Sequence, residues 1–513
     1  MAINDIEDRP GVEAPGSVAK APWLANYPEN IDWHAEFTPR PFQSLLDEAA
    51  VRYADNPCID FLDQRLTYKQ VDARAAKLAK GLQSLGVKKG MKVGLFLPNC
   101  PLSIIGFFAI LRAGGTVVNY NPLYVTREIE HQVLDSETDI MITLDLEALL
   151  PKLTPLLSST RLKAIIVGKM ADCLPFPKNL LYPWVKRRDV AEVPEEPAFV
   201  RLSTLMDNDG GFTPVPVEPE QDIALIQYTG GTTGVSKGAV HSHASLVINA
   251  DQLLAWTPGI IDGGESILGV IPLFHVLAVS TVLTYGVRSG AMMILLPRFD
   301  IDQMLATIHK KRPTFLPGVP TMYNAISSHP SIDRFDLTSI KCCISGGAPL
   351  PIEVKENFER RAGCSLVEGY GLTEAPVTHC NPFWGLQKTG SFGVPMPGTE
   401  IEIVSLEDGK TVLPPGEKGE ICLKGPQVMQ GYWQKPEATA ATIREGWLHT
   451  GDIGYLDEDG YGFLVDRLKE LIICSGYNVY PRAVEEALYE HPEIIEAAVI
   501  GVPDDYRGET VKA

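Results

Sequence analysis

The chain has 513 residues, of which 45% are apolar and 21% are charged. This length exceeds what one hydrophobic core usually supports, so we expect at least two globular domains rather than a disordered chain. The formal net charge of −19 argues against a nucleic-acid-binding protein, because such binding depends on neutralising phosphates with Lys and Arg.

Cysteine usage and the N-terminus bear on location. The nine cysteines form no CxxC pair, which indicates neither a disulfide framework nor a zinc site. The first residues, "MAINDIEDRP", are polar and acidic, unlike a secretory signal. The 22 uncharged residues from Ser266 to Val287 could span a bilayer. Because Pro272, His275 and Gly286 interrupt them, we expect buried core in a cytoplasmic protein, with peripheral contact at the inner membrane face left open.

Alternating helix and strand patterns follow an N-terminal lead-in segment. Residues 1–40 are rich in Pro and Glu and predict a loosely packed segment. Helical and strand patterns then alternate, for example "RLTYKQVDARAAKLAKGLQSLGV" before "KVGLFLPN" and "SIIGFFAILRAGG" before "TVVNYN". Further short apolar runs are "LKAIIVG", "ALIQYTG", "GAMMILLP" and "SIKCCISGGAPL". This alternation predicts an α/β fold with a mostly parallel sheet.

The pattern changes after about residue 385. Short β-rich pieces are separated by Gly and Pro, as in "GVPMPGTEIEIVSLEDG", "GEKGEICLKG" and "DGYGFLVDR". They predict a small antiparallel unit. The last stretch, "YPRAVEEALYEHPEIIEAAVIGVPD", reads as a helix and then a strand, which begins another small module.

The segment "YTGGTTGVSKGAV", residues 228–240, carries four glycines, four hydroxyl side chains besides its tyrosine, and one lysine. It follows the strand pattern "DIALIQ" and precedes a predicted helix, "HASLVINADQLL". Backbone N–H groups of a glycine-rich turn, hydroxyls and Lys237 can together hold phosphate oxygens. A Walker A loop is excluded, because Ser236 precedes Lys237 and Gly238 follows it. Composition alone fits a phosphate-binding loop and a plain surface connection equally well.

The segment resembles the phosphate-loop signature of the AMP-forming acyl-CoA synthetase superfamily, the adenylate-forming enzymes. Six further segments resemble that superfamily's motifs and occur in its order. They are "PLFHV" (272–276), "SGGAPL" (345–350), "EGYGLTE" (368–374), "GWLHTGDIG" (446–454), "DRLKELI" (466–472) and "CSGYNVYPRAVE" (474–485). The match covers nearly the whole chain after the lead-in, and seven motifs in order leave little room for chance.

The resemblance implies an architecture. We expect a large N-terminal domain over 41–465, made of two α/β subdomains and a small distorted antiparallel β-barrel. A hinge at Asp466 leads to a small α+β C-terminal domain over 466–513. In the family this domain continues to a lysine that contacts the reacting carboxylate. Because the chain ends at Ala513, we expect a truncated domain and adenylation slowed by on the order of a hundredfold.

The implied reaction has two steps: a carboxylate attacks the α-phosphate of ATP and releases pyrophosphate, and the thiol of CoA then displaces AMP. Four residues are the implied catalytic groups. Lys237 would contact the β- and γ-phosphates, Thr373 the α-phosphate, and Glu374 would hold Mg²⁺. His275 would lie where the acyl and pantetheine groups enter, although a structural core histidine is the alternative there.

Further residues are implied to bind the nucleotide and CoA. Tyr370 would stack on adenine, Asp452 would accept from the ribose hydroxyls, Arg467 would support the ribose, and Gly476 would line the CoA channel. The remaining predicted binding residues are Thr229, Gly230, Gly231, Thr232, Thr233, Gly234, Gly346, Gly347, Ala348, Glu368, Gly369 and Gly371.

The substrate class follows from the segment "PLFHVLAVS", where amino-acid-activating relatives place an aspartate. Here the segment is apolar around His275, so a substrate ammonium would be left unpaired. "GWLHTGDIG" also resembles the extended signature of bacterial medium- and long-chain fatty-acyl-CoA ligases. We therefore predict a fatty-acid–CoA ligase that uses ATP, Mg²⁺ and CoA. An aryl- or dicarboxylate-CoA ligase is the alternative enzyme, and a non-catalytic acyl or nucleotide binder is the alternative from another class.

Overall fold

The computed structural model describes residues 21–229, 236–474, 477–489, 491, 494, 497–504 and 508–513. Its strands are β1 (Pro57–Phe61), β2 (Gln64–Thr67), β3 (Lys92–Leu95), β4 (Thr116–Asn119), β5 (Thr138–Leu144), β6 (Ala164–Gly168), β7 (Phe199–Arg201), β8 (Ile223–Tyr228), β9 (Gly238–Ser242), β10 (Ser266–Gly269), β11 (Met292–Leu295), β12 (Phe315–Gly318), β13 (Cys342–Ser345), β14 (Leu366–Tyr370), β15 (His379–Cys380), β16 (Val394–Pro395), β17 (Glu400–Val404), β18 (Gly419–Lys424), β19 (Gly431–Tyr432), β20 (Ile443–Arg444), β21 (Trp447–Leu456), β22 (Gly462–Arg467), β23 (Ile472–Cys474), β24 (Tyr477–Val479), β25 (Ile500–Asp504) and β26 (Gly508–Lys512).

The helices vary from single turns to seventeen residues. They are α1 (Ser44–Arg52), α2 (Tyr68–Ser84), α3 (Pro101–Arg112), α4 (Thr126–Ser136), α5 (Leu150–Leu153), α6 (Leu156–Ser159), α7 (Lys178–Val185), α8 (Leu202–Leu205), α9 (His243–Trp256), α10 (Val276–Ala278), α11 (Tyr285–Arg288), α12 (Ile301–Lys311), α13 (Pro320–Ser327), α14 (Ile352–Ala362), α15 (Pro436–Thr442) and α16 (Pro481–Tyr489). A π-helical turn, Val279–Thr284, joins α10 to α11, and short 3₁₀ turns lie at Pro22–Asn26, Met170–Cys173 and Ile332–Arg334.

Two large sheets form the centre of the molecule. One has nine strands in the order β16-β15-β14-β13-β12-β10-β11-β1-β2, and the other has eight in the order β19-β9-β8-β4-β3-β5-β6-β7. Their central strands run parallel. Every residue of β5 is buried, as expected for a parallel strand covered by helices on both faces. The predicted α/β fold with two subdomains is confirmed.

Two smaller antiparallel sheets follow in the chain. β17, β18, β21 and β20 form one, with β22 paired to β21, and this sheet is the antiparallel unit predicted after residue 385. The other has the order β24-β23-β26-β25, and α16 precedes its last two strands. The C-terminal part therefore has the α+β character that was predicted.

Residues 21–40 pack more closely than the sequence suggests. Trp23 is 4% exposed, the Tyr27 hydroxyl donates to the Pro395 carbonyl (2.8 Å), and Trp33 Nε1 donates to the Thr399 carbonyl (3.1 Å). The prediction of a loosely packed segment is wrong for these residues, because aromatic side chains among the Pro and Glu bury apolar surface. Residues 1–20 lie outside the described part of the chain.

The uncharged stretch that could have spanned a bilayer forms β10, α10, the π-helical turn and α11. The π-helical turn is buried at all six positions, Val279–Thr284, so the predicted buried core is confirmed. Within the described ranges, no helix combines the length and the apolar character needed to cross a membrane.

Candidate active site

The predicted motifs gather where parallel strands end. β10, β12, β13 and β14 are parallel neighbours in the nine-stranded sheet, so the segments that follow them meet at one edge. These segments carry His275, Val319, Gly346 and Gly347, and Tyr370 ends β14. In α/β sheets this carboxyl edge is where ligands bind.

The predicted phosphate loop closes a β-hairpin. β8 and β9 pair antiparallel with Tyr228 opposite Gly238, and the Thr229 N–H donates to the Lys237 carbonyl (2.9 Å). The Lys237 N–H in turn donates to Thr229 Oγ1 (3.3 Å). Thr229 and Lys237 thus hold the two ends of the loop together.

The surroundings of this loop differ from the sequence prediction in one respect. The loop leads into β9 and only then into α9, because residues 238–242 pair with β8 before the helix begins. No helix N-terminus directly follows the loop. The predicted residues Gly230, Gly231, Thr232, Thr233 and Gly234 lie outside the described residues.

Tyr432 joins the loop lysine to the predicted metal ligand. Lys237 Nζ lies over the Tyr432 ring, 4.7 Å from its centroid, and the Tyr432 hydroxyl donates to Glu374 Oε1 (2.6 Å). Tyr432 is placed by pairing of β19 with β9, where it lies opposite Ala239. Lys237 and Glu374 are therefore held at one site by Tyr432, a residue that the sequence analysis did not identify.

His241 holds the segment that carries Thr373. Its Nε2 lies 2.8 Å from the Thr373 carbonyl oxygen, and burial lowers the pKa of His241 to about 4. The ring is therefore neutral at pH 7 and donates from Nε2 to that carbonyl. This contact fixes the backbone at Thr373 one residue before Glu374.

Gly371 allows the same segment to turn tightly. A Cβ at this position would lie 2.8 Å from the Val377 backbone nitrogen and 3.1 Å from the Ala375 carbonyl oxygen. Both neighbours are backbone atoms, which cannot rotate away. A side chain at Gly371 would therefore displace the turn that presents Thr373 and Glu374.

The predicted adenine-binding segment lies beside the segment of His275. A Cβ added at Gly346 would lie 3.3 Å from Leu277 Cδ1. Gly347 has φ +79°, a conformation that favours glycine, and Gly347 and Ala348 are exposed. The backbone here is thus open to a ligand.

Strand β14 supports this segment from behind. The Leu350 N–H donates to Glu368 Oε2 (3.2 Å), which ties β14 to the "SGGAPL" turn. A Cβ at Gly369 would lie 2.8 Å from Ile344 Cδ1 on β13. Glu368 and Gly369 therefore position the neighbouring backbone.

Tyr370 and Asp452 form a buried pair. The Tyr370 hydroxyl donates to Asp452 Oδ2 (2.7 Å), and the Tyr370 ring stacks on Phe392 with centroids 4.7 Å apart. Arg467 Nε lies 3.3 Å from Asp452 Oδ1, since Asp452 and Arg467 are opposite each other on β21 and β22. The sequence predicted all three residues but not their mutual contacts.

Burial raises the pKa of Asp452, while the Tyr370 hydrogen bond and the Arg467 charge act in the opposite direction. The nearby Glu374 carboxylate also favours the protonated form, so Glu374 and Asp452 belong to one electrostatic site. Each oxygen of a carboxylate has two lone pairs. Asp452 therefore retains acceptor capacity for the two hydroxyls of a ribose.

Glu420 holds the turn before Asp452. Glu420 Oε1 accepts from the Gly451 N–H (3.0 Å), and Oε2 lies 2.8 Å from His449 Nδ1. Cys422 Sγ lies 3.4 Å from the same His449 nitrogen. The sequence missed these residues because only the β18–β21 pairing brings them together.

His275 lies in a concave part of the surface. Its ring is accessible to solvent, yet desolvation by the surrounding protein lowers its pKa. Its Nδ1 accepts from the Leu277 N–H (3.3 Å), which leaves Nε2 to face a ligand. The alternative of a buried core histidine is wrong.

The predicted hinge residue connects the last two sheets. The Asp466 carboxylate accepts from the Arg467 N–H (2.7 Å) and from the Arg482 N–H (3.1 Å) at the start of α16. Asp466 thus links β22 to the C-terminal unit. Gly476, predicted for the CoA channel, lies outside the described residues.

A separate cavity of about 500 Å³ lies beyond this site. It is bounded by residues near the carboxyl ends of β5 and β6, among them Asp145, Lys169 and Glu192. None of the predicted site residues lines it. We therefore assign the nucleotide chemistry to the sheet edge described above.

Comparison with known proteins identifies the family. The model of the family described as "AMP-binding enzyme" matches residues 46–433, and that described as "AMP-binding enzyme C-terminal domain" matches residues 483–513. The fold and the site together define an adenylate-forming, AMP-producing acid–thiol ligase. The chain belongs to the AMP-binding enzyme family.

Particular relatives support the same assignment. A long-chain-fatty-acid–CoA ligase of Bacillus subtilis (strain 168) is 46% identical over 499 residues, which are 96% of this chain and 89% of that protein. The solved structure of an anthranilate CoA ligase in complex with anthranoyl-AMP aligns with a TM-score of 0.81 at 25% identity, covering 93% of this chain and 87% of that one. A long-chain-fatty-acid–CoA ligase from Archaeoglobus fulgidus aligns with a TM-score of 0.74 at 26% identity, covering 93% and 91%.

Proposed function

We propose that this chain activates a medium- or long-chain fatty acid with ATP and transfers the acyl group to CoA. The observation that carries the proposal is the meeting of Lys237 and Glu374 on Tyr432, close to the Tyr370–Asp452 pair. One cation and one carboxylate beside a potential ribose acceptor support a binding site for the triphosphate of ATP.

In the first step, a fatty-acid carboxylate oxygen attacks the α-phosphorus, and the bond to the pyrophosphate oxygen breaks. Negative charge builds up on the β- and γ-phosphates that leave, and Lys237 stabilises it from the neck of the loop. The Thr373 hydroxyl is positioned to donate to the α-phosphate because His241 holds its backbone. Asp452 orients the ribose.

Mg²⁺ fits this site. Glu374 Oε1 accepts the Tyr432 hydroxyl, and among the residues that the structure describes none donates a hydrogen bond to Oε2. A half-buried carboxylate oxygen beside bound phosphates is the ligand that Mg²⁺ prefers. When bound, the ion would neutralise phosphate charge.

In the second step, the CoA thiolate attacks the acyl carbonyl carbon and AMP leaves. Family members are thought to rotate the small domain between the two steps. We propose residues 41–465 and 466–513 as the two domains, with Asp466 at the hinge. Its links to β22 and α16 support this role, since a rotation there would exchange those contacts.

The acyl class rests on relatives and on local polarity. The Bacillus subtilis relative is a long-chain-fatty-acid–CoA ligase, and the segment around His275 is apolar, with Val276 and Ala278 buried. Each buried methylene of a substrate contributes roughly 0.8 kcal/mol. An aryl acid is the alternative substrate, since an aligned structure holds anthranoyl-AMP.

The cellular setting is also a proposal. The free cysteines suit a reducing compartment, so we place the protein in the cytoplasm, with peripheral contact at the inner membrane face.

Binding and thioester formation test the proposal in separate steps. A non-hydrolysable palmitoyl-AMP mimic is titrated into the chain by calorimetry, and synthetic palmitoyl-AMP plus CoA is assayed for palmitoyl-CoA by mass spectrometry. We expect submicromolar to micromolar binding and release of palmitoyl-CoA. Asp408→Asn, on an exposed turn, serves as control for Asp452→Asn. Benzoyl-AMP turned over in place of palmitoyl-AMP would favour the aryl ligase, and binding without any transfer would favour a non-catalytic binder.

A further inference from the structure

Helix α7 presents an apolar face to solvent. None of its eight residues is buried. Five large apolar side chains at or beside it are more than half exposed: Phe176 (78%), Leu180 (61%), Leu181 (54%), Trp184 (84%) and Val185 (74%). Surface apolar residues normally occur singly, and a contiguous group marks an interaction site.

The spacing places these side chains in two adjacent rows. Leu180 and Trp184 are four residues apart, as are Leu181 and Val185, and such pairs are neighbours on a helix surface. Phe176, also exposed, lies just before the helix. The four helical residues form one apolar face, which together with Phe176 we call the α7 face.

Contacts of Tyr182 and Lys178 with the rest of the protein fix this orientation. Tyr182 packs against the hydrophobic core, and Lys178 Nζ, at the helix start, lies 3.2 Å from Asp63 Oδ2. The helix is thus attached through Tyr182 and Lys178, and the α7 face cannot turn inward without breaking those contacts.

Basic residues lie at both ends of helix α7. Residues 176–188, "FPKNLLYPWVKRR", contain two Lys and two Arg and no acidic residue, in a chain whose net charge is −19. Lys186 pairs with Asp189 (3.5 Å), whereas Arg187 and Arg188 form no ion pair with any described residue. An apolar face next to free cations suits anionic lipid, which attracts basic residues near the bilayer surface.

The α7 face lies at the ligand-binding edge of its sheet. β6 and β8 are parallel members of the eight-stranded sheet, so α7, which follows β6, starts at the same edge as the phosphate loop, which follows β8. β4, β3 and β5 separate them, a lateral distance of about 19 Å at roughly 4.8 Å per step. A surface that contacts α7 would thus be near the entrance of the site.

We propose that the α7 face docks on the surface of a bilayer that contains anionic lipids, with Phe176, Leu180 and Trp184 inserted at the level of the headgroups and Arg187 and Arg188 on lipid phosphates. A two-fold dimer through this face is disfavoured, because it would bring these cations close to their symmetry mates. The docking does not depend on the proposed function. Only its suggested use, the delivery of fatty acid from the membrane, rests on that function.

Vesicle sedimentation without substrate tests the docking. We expect the full chain to bind vesicles of phosphatidylglycerol and phosphatidylcholine, and phosphatidylcholine vesicles much more weakly. Leu180→Ser combined with Trp184→Ser should lower the partition coefficient at least about tenfold. Arg187→Gln combined with Arg188→Gln should lower it about thirtyfold.

Matched controls isolate the α7 face. Val51, 85% exposed on α1, provides Val51→Ser, and the adjacent exposed pair on α14 provides Arg360→Gln combined with Arg361→Gln, with the same change in charge. Both controls should bind like the unaltered chain. All variants should keep the melting temperature of the unaltered chain and its rate of octanoyl-CoA formation from octanoyl-AMP. That rate reports on the proposed function independently of membranes.

Three results would overturn the proposal. They are no binding of the unaltered chain to anionic vesicles, equal binding by the α7 variants, and a dimer in sedimentation velocity that dissociates on substitution of Trp184, which would assign the face to a second copy. Quenching by brominated lipid that Trp184→Phe abolishes would place the residue at the bilayer.

Discussion

At the residue scale, Tyr432 links groups that are far apart in the chain. Its ring lies under Lys237 and its hydroxyl binds Glu374, so the cation and the carboxylate are held near each other before ATP arrives. Such preorganisation lowers the cost of assembling charges during the reaction. Tyr432 acts as a positioning residue, because neither contact involves the substrate.

Tyr432→Phe tests this positioning. The ring remains under Lys237, but Glu374 loses a hydrogen bond, and bonds to charged groups contribute about 1.5–3 kcal/mol. We expect the rate of ATP–pyrophosphate exchange to fall about tenfold or more, and Tyr432→Ala to reduce it further through loss of the cation–π contact. Trp433→Phe, at the position after Tyr432, is the control. An unchanged exchange rate in Tyr432→Phe would contradict the assignment.

At Asp452, the requirements of the proposed nucleotide binding and of fold stability conflict. Because burial raises its pKa above 3.8, the folded state binds the proton more tightly than the unfolded state does. The stability associated with this group is therefore present at low pH and is lost as the pH rises through the folded pKa. At pH 7 the ionised carboxylate weakens the fold, and its retention is consistent with nucleotide binding.

Asp452→Asn should accordingly separate the two effects. We expect a melting temperature at pH 7 equal to or above that of the unaltered chain, and a difference that shrinks as the pH approaches 4.5. Affinity for ATP should fall about tenfold or more, since the amide offers one acceptor oxygen. Thermal unfolding at both pH values and calorimetry check this. Equal destabilisation at both values would contradict it.

At the scale of elements, the turn after β14 carries Thr373 and Glu374, the proposed catalytic groups. Gly371 allows the chain to fold back on Val377 and Ala375, and His241 on β9 holds the carbonyl of Thr373. The turn thus depends on the absence of a side chain at Gly371 and on the long-range hydrogen bond of His241. Both determine the position of Thr373 and Glu374.

Gly371→Ala should shift this turn. Misplacement of catalytic groups by about 1 Å can cost on the order of a hundredfold in rate, so we expect ATP–pyrophosphate exchange to fall by at least that factor while circular dichroism stays unchanged. Gly211→Ala is the control, because its nearest neighbour would be the exposed Asp209 side chain at 3.3 Å. Exchange within threefold or so of the unaltered chain would show that the turn tolerates a methyl group.

The elements also show what the sequence could predict. The alternation of patterns predicted the parallel sheets, and the motifs predicted Thr229, Lys237, Tyr370 and Asp452. The strand β9 was not predicted, because five residues before a helix become a strand only by pairing with β8. Tyr432, His241 and Glu420 were missed for the same reason: each reaches the site through a long-range strand pairing, and no local spacing marks it.

At the scale of the whole molecule, buried histidines make the fold sensitive to acid. Burial lowers the pKa of His241 to about 4, of His243 to about 4 and of His379 to about 3, from 6.5. The unfolded chain therefore binds more protons than the folded chain between pH 6.5 and about 4. The free energy of unfolding consequently decreases as the pH is lowered across that window. Each histidine contributes at most about 1.4 kcal/mol per pH unit.

His243→Gln should reduce this sensitivity. A glutamine oxygen can accept the Phe42 N–H that now donates to His243 Nδ1 (3.1 Å). We expect the urea midpoint to fall less steeply between pH 7 and pH 5 than in the unaltered chain, whereas His131→Gln, at an exposed position, should leave the slope unchanged. The same slope in both variants would show that His243 does not limit acid stability.

The central claim is that one site adenylates a fatty acid. ATP–pyrophosphate exchange with the purified chain, compared across acetate, hexanoate, pimelate, laurate, palmitate and benzoate, tests it most directly. We predict exchange that depends on an aliphatic monocarboxylic acid of six or more carbons and is lost in Lys237→Met. Exchange supported only by benzoate or pimelate would contradict the fatty-acid assignment, and exchange that persists in Lys237→Met would contradict the site.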